Sequence, residues 1–147
     1  MEDLVVPELL SDDNIICLMQ NAYFEARNQS DEAIMAVVMV VLNRTKNLNY
    51  PSSICDVVHQ GYTDKDGNVL KGKCQFAWYC DGKSDRMYDG YSSLRVKALV
   101  YKSLLLWYNG VDITKGSTHY HANWSRPEWR NGLKYVIDIG DHKFYKT

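Results

Sequence analysis

The chain is short of the residues that define several familiar protein classes. Proline and phenylalanine each occur only 3 times in 147 residues. No Pro/Gly-rich linker, internal repeat or low-complexity tract divides the sequence, so a single domain over residues 1–147 is expected. Four cysteines, Cys17, Cys55, Cys74 and Cys80, are too few for a disulfide scaffold at this length. They allow three complete pairings, among which the sequence does not choose. Cys17 sits among Ile15, Ile16, Leu18 and Met19 and reads as a buried thiol. The other three surround the central loop region, where one bridge and full reduction are equally compatible readings.

Charge of either sign is not in excess. The chain has 17 Lys+Arg against 18 Asp+Glu, for a formal net charge of -1. That excludes a protein held on nucleic acid mainly by charge, which needs a clustered positive excess. Long apolar runs are missing too. The longest, residues 33–42, falls well short of the ~20 residues that span a bilayer as a helix. It reads as a buried core helix, and no stable membrane insertion is expected. The N-terminus, Met1-Glu2-Asp3, is acidic where a secretory signal would be basic, and no apolar stretch follows before Ser11. The chain therefore reads as made in the cytoplasm without a signal peptide.

What is present is 46% hydrophobic and 24% charged, enough for a sizeable core. Rings with a polar handle are over-used, 11 Tyr and 4 Trp, which suits a wet groove better than a deep core. A first helix should start at the cap Ser11, with Asp12 and Asp13 at its positive end and Ile15, Leu18, Met19, Ala22 and Ala26 at helical spacing. A second, capped by Ser30 and led by Asp31 and Glu32, is apolar on every side through Leu42 and closes with Arg44 and Lys46. Such a helix is the central pillar of a fold. A short helix after Pro51-Ser52-Ser53 carries Ile54, Val57 and Val58 and stops at Gly61. From Tyr62 to Gly90 the periodicity fails; Asp66-Gly67 predicts a hairpin turn and residues 74–79 a short strand. A third long helix begins at Ser92 or Ser93 and ends near Gly110, followed by short strands at 118–122, 135–139 and 143–145. The fold class is α+β, mainly α, with a small hairpin or sheet beside the helices.

Glu25 is the first candidate for chemistry. It lies at the C-terminal end of the first helix, after Tyr23 and Phe24. The negative end of the helix dipole and flanking rings both favour a protonated carboxyl, as a glycosidic general acid requires. The plain alternative is a solvated Glu paired with Arg27 or Lys46. His119 and His121 would share one face of a strand. Zinc needs three or four ligands, and Cys74 and Cys80 lack Cys-x-x-Cys spacing, so no metal site is expected. A polar-aromatic strand lining a groove is the more economical reading, and an exposed edge strand the plain one. Asp64-Lys65-Asp66-Gly67-Asn68 has its Gly misplaced for a calcium loop and reads as a turn. Cys55 and His59, one helical turn apart, read as local packing rather than as a thiol nucleophile with its base.

These pieces resemble a known family. Tyr23-Phe24-Glu25-Ala26-Arg27, then Glu32, Ala36-Val37 and Val41-Leu42-Asn43-Arg44, resemble the start of the SleB-type cell wall hydrolases, relatives of spore-cortex-lytic enzymes. Tyr50-Pro51, Val57-Val58-His59-Gln60, Cys74-Gln75-Phe76, Cys80-Asp81-Gly82-Lys83, Thr118-His119-Tyr120-His121-Ala122, Ile139-Gly140 and His142-Lys143-Phe144-Tyr145 follow in the family's order. The similarity covers roughly residues 13–146, and the number and order of the pieces carry it.

The resemblance implies a lysozyme-like domain that cleaves the β-1,4 bond between N-acetylmuramic acid and N-acetylglucosamine in peptidoglycan. It makes Glu25 the catalytic acid and implies a lytic transglycosylase, which ends in a 1,6-anhydro sugar. The sequence departs from the family at Asn28-Gln29, where Gly-Glu is usual. One well-framed acid agrees with such a reaction, because a two-carboxylate hydrolase needs a partner acid. Glu32 is accounted for by capping of the second helix. Gln75, Phe76, Tyr120, His121 and Trp124 are the expected groove lining, with Trp129 and Arg126 at its rim; for Phe76 and Trp78 a core role is equally expected. No cofactor is expected. The expected partner is the peptidoglycan glycan strand, met by a monomer acting on the cell wall. A phage endolysin released through a holin and a bacterial enzyme parted from its export signal both fit. A water-using muramidase and a non-catalytic carbohydrate-binding module are the alternatives.

Overall fold

Two serine-capped helices set the frame. The computed structural model describes residues 9–147; residues 1–8, on which the acidic N-terminal reading rests, lie outside the described residues. Helix α1 spans Asp12–Ala26, with the Ser11 side chain accepting from the Asn14 amide. Helix α2 spans Asp31–Thr45, with Ser30 accepting from the Ala33 amide at 3.2 Å. Every residue of α2 from Ala33 to Leu42 is buried, as its unbroken apolar surface demands. It packs against α1, the short helix α3 (Ile54–Val58) and the long helix α4 (Gly90–Tyr108). Helix α4 starts two residues before Ser92, because Asp89 accepts from the Ser92 amide and takes the cap. Among the described residues no helix is long and apolar enough to cross a membrane.

The aperiodic stretch holds an antiparallel hairpin, β1 (Gly61–Thr63) and β2 (Val69–Cys74). Its turn forms at the expected place. Asp64 Oδ1 accepts from the amides of Asp66 and Asn68, and Gly67 supplies the positive φ of +85°. The strand expected at 74–79 is not there. Residues Ala77–Cys80 form a 3-10 turn, and a disulfide joins Cys74 to Cys80 with their Cα atoms 6.1 Å apart. An extended strand would hold those two ends roughly 20 Å apart, so bridge and strand exclude each other. Cys17 is buried as expected but is not a free thiol: α3 packs on α1, and Cys17 is bonded to Cys55.

The last third forms a three-stranded antiparallel sheet in the order β3 (His119–Ala122), β5 (His142–Lys146), β4 (Lys134–Ile139). Tyr120 pairs with Phe144 in register, and Phe144 is wholly buried with Ala36 and Val40 of α2. Two neighbouring residues at the end of α2 fix where β3 begins. Asn43 Nδ2 donates to Asp112, Thr114 and the Ser117 carbonyl, while Arg44 Nε donates to the Thr118 carbonyl at 2.8 Å. The fold is α+β and mainly α, and α2 holds the sheet against the end of α1.

Candidate active site

Glu25 projects from the last turn of α1, which carries no basic residue to offset the negative end of the helix. It borders a hollow of about 140 Å³, shared with Arg44, Gln75, Phe76, His119, Tyr120 and Trp129. A more open hollow of about 160 Å³ runs along Phe24 to Gln29 and is also bordered by Glu25. A third, of about 150 Å³, is lined by Gln60, Gly61, Tyr62, Lys73 and Gln75. Glu25 borders the first two hollows and Gln75 the first and the third, so the three adjoin through these two side chains.

The carboxyl is held and tuned by its neighbours. The Tyr120 hydroxyl donates to Glu25 Oε1. Burial raises the Glu25 pKa above the ordinary value, while the Tyr120 bond and the Arg44 charge each pull it part of the way down. Burial also pushes the Tyr120 phenol well above its usual range, so it remains an O–H donor. Phe24 stacks on Trp78 with centroids 5.1 Å apart, and Trp78 Nε1 donates to Asn21, so the turn next to Glu25 is packed dry. His119 contacts the Tyr50 hydroxyl at 3.1 Å and Thr118 Oγ1 at 2.9 Å. Burial and then Arg44 depress its pKa to about 4, so it is neutral near pH 7. No second carboxylate lines the central hollow among the described residues.

Residues 28–145 match the family model described as Cell Wall Hydrolase. The chain belongs to the cell wall hydrolase family. Two solved structures share its fold. One is the catalytic domain of the Bacillus cereus SleB protein, 23% identical, with a TM-score of 0.65 over 92% of this chain and 91% of that one. The other is the catalytic domain of the germination-specific lytic transglycosylase SleB from Bacillus anthracis, 22% identical, with a TM-score of 0.66 over 93% and 98%. A comparison with curated proteins finds no match. The chain is thus an enzyme of cell wall degradation.

The hydrolase brings only part of its expected groove lining together. Gln75, Phe76 and Tyr120 border the central hollow with Glu25, and so does Trp129. Gln75 and Phe76 stand on the bend after β2 rather than on a strand. Phe76 is 3% exposed, so its core and lining roles coincide. Tyr120 spends its hydroxyl on Glu25. His121 is not among the lining residues: it is buried, donating through Nδ1 to the Ala122 carbonyl and bonded at Nε2 to the Tyr145 hydroxyl. Trp124 lies beyond the end of β3, 76% exposed and away from the hollow. Arg126 binds the carbonyls of Asn123 and Ser125 instead of forming a rim. Gln29 closes the departure from the family pattern structurally. Its Oε1 accepts from the Asp141 amide at 3.1 Å and its Nε2 meets His142 Nε2 at 3.4 Å, clipping the α1–α2 turn to the β4–β5 turn.

The thiol and metal readings find no geometry. Cys55 is in a disulfide and His59 stacks on Tyr79. Among the described residues no group of three His, Cys, Asp or Glu is placed to hold a metal ion. The residue that sequence reasoning passed over is Arg44. Its signal is a charged side chain one and two turns after Val40 and Val37 on a helix buried on every side.

Proposed function

We propose that this cell wall hydrolase is a lytic transglycosylase that cleaves the β-1,4 bond between N-acetylmuramic acid and N-acetylglucosamine, with Glu25 as its single acid and base. The observation that carries the reading is one carboxyl, raised in pKa by burial, alone in the central hollow. A water-using enzyme of the two-carboxylate kind needs a second acid to activate water or form a covalent intermediate. When the sugar's own C6 hydroxyl is the nucleophile, one group serves both steps. Glu25 gives its proton to the bridging oxygen as the bond from C1 to that oxygen breaks. The resulting carboxylate then takes the proton of the C6 hydroxyl as the oxygen of C6 bonds to C1. The Bacillus anthracis SleB domain, a lytic transglycosylase that shares this fold, supports the same chemistry.

Tyr120 orients the carboxyl by its bond to Oε1, leaving Oε2 as the proton-bearing oxygen. Gln75 offers an amide to sugar hydroxyls, and Phe76 and Trp129 offer ring surface to the apolar faces of the sugars. Residues 1–147 act as one catalytic domain on glycan strands of the wall, as a monomer. Delivery through a holin, as an endolysin, is part of the same proposal. The test is Glu25→Gln assayed on purified sacculi, with mass analysis of the released muropeptides. Lysis should fall by roughly a thousandfold while the variant still sediments with sacculi. Wild-type products should be lighter by one water than hydrolysed ones. Undiminished lysis by the variant removes Glu25 as the acid, and products carrying the added water make the enzyme a muramidase.

A further inference from the structure

A buried cation stands beside the acid with no anion bonded to it. Arg44 is 5% exposed at the end of α2. Its guanidinium lies between the rings of Tyr50 and Phe76, at 4.8 and 5.0 Å from their centroids. Its Nε is satisfied by the Thr118 carbonyl, while its Nη1 is buried without a hydrogen-bond partner. Among the described residues the salt bridges are Arg95–Asp31 and Lys143–Asp138, so neither Glu25 nor any other carboxylate pairs with Arg44. A guanidinium keeps its charge at any working pH. An uncompensated buried charge is costly, and a purely structural cation is normally paired. The flanking rings relieve part of that cost.

We propose that Arg44 is a positioning residue that acts through Glu25: its fixed charge borders the same hollow and favours the carboxylate left when the proton is handed over. The inference rests on the reading of Glu25 as the acid. On that reading the resting carboxyl holds its proton, so the cation is unmatched. As the Glu25 O–H bond breaks, negative charge appears where a preorganised positive charge already stands, so nothing has to reorganise. Because no direct salt bridge forms, the carboxylate stays free to accept the C6 hydroxyl proton in the second step.

The other groups around this pair do not supply that charge. Tyr120 is a neutral donor to Oε1, His119 and Tyr50 bond to each other, and Trp129 carries no charge. Arg27, on the far hollow, has its guanidinium over the Tyr23 ring and a bond to the Tyr23 carbonyl. The sign follows from the charge: a cation beside the carboxyl works against burial and lowers the proton affinity of Glu25.

Three variants test this, Arg44→Met, Arg44→Gln and Arg44→Lys, each checked for fold by circular dichroism. Gln retains an amide donor for the Thr118 carbonyl. Two readouts are taken: the Glu25 carboxyl titration by carbon-13 NMR, and kcat and KM on solubilised glycan strands across pH. In the neutral variants the Glu25 midpoint should rise and the alkaline limb of activity should move up with it. Their kcat should drop by about tenfold to a hundredfold, with KM changed less than about threefold. Lys should recover part of the midpoint and of kcat. An unmoved midpoint in a folded neutral variant overturns the proposal, as does a loss confined to KM, which would make Arg44 a substrate contact. Loss of fold in both neutral variants with Lys folded would make it a structural cation. The NMR midpoint does not depend on turnover, so it can fail or hold independently of the Glu25→Gln result.

Discussion

Tyr120→Phe removes one oxygen from the site and little else. The ring keeps its neighbours, Phe144 at 5.5 Å and His142 at 5.0 Å between centroids, so the sheet should hold. What is lost is the bond to Glu25 Oε1. A hydrogen bond to a charged group contributes about 1.5–3 kcal/mol, and this one strengthens as the carboxyl becomes a carboxylate. At 1.36 kcal/mol for each factor of ten, kcat should fall roughly tenfold to a hundredfold. Sacculus binding should change little, because the hydroxyl is committed to Glu25 rather than to substrate. The Tyr120 bond lowers the Glu25 pKa, so its removal raises that pKa further. The protonated acid then persists to higher pH, and the alkaline limb of activity moves upward. The assay is the rate of turbidity loss and muropeptide release from sacculi between about pH 4 and 9, at several substrate loads. Unchanged kcat with an unmoved limb would refute the orienting role. A rise in KM alone would return Tyr120 to the groove lining as a sugar contact.

Three further outcomes follow from the fold. Replacing Cys17 and Cys55 together by Ala opens a loop of sequence separation 38 and should cost about 3 kcal/mol, read as a drop in Tm of roughly 10 °C under non-reducing conditions. Gly140→Ala places a Cβ 2.8 Å from the Ala33 Cβ and 3.0 Å from Gln29 Oε1, at a φ of +57°; it should destabilise by about 1–3 kcal/mol in urea unfolding. His119, depressed to about 4 in the folded protein, refuses a proton that the unfolded chain accepts below pH 6.5. Stability should therefore fall as pH drops from 6.5 towards 4. His119→Gln should reduce that loss by on the order of 1 kcal/mol, the half-exposed ring being partly screened by water.

Helix starts were legible because a cap is a local event. Ser11, Ser30 and Ser53 each accept the amide three residues on, and α2 announces its burial in a run of ten apolar residues. Asp89 was missed because Ser92 and Ser93 are equally good caps on paper, and only the geometry of the chain before them decides. The pairings of Cys17 with Cys55 and of Cys74 with Cys80 depend on which elements meet, which no spacing reports. Glu25 drew notice from its place at a helix end after Tyr23 and Phe24, and that place does border the central hollow. Its bond to Tyr120 was not legible, since Tyr120 lies 95 residues on and is brought to it by the sheet. Strand alternation separates Tyr120 from His119 and His121 on β3, but it stops at Ala122 and so says nothing about Trp124. His119 and His121 do share a side, both facing Trp129 at 5.2 and 5.7 Å, yet only His119 reaches the hollow.

The central strand of the sheet is the one made after both of its neighbours, since β5 lies between β3 and β4. Until residues 142–146 have left the ribosome, β3 has no ladder to join, and Tyr120 has no Phe144 opposite it. A nascent chain short of that point carries Glu25 without its orienting partner in place. The order of synthesis thus delays the Tyr120–Glu25 contact until β5 has been translated and β3 has its ladder.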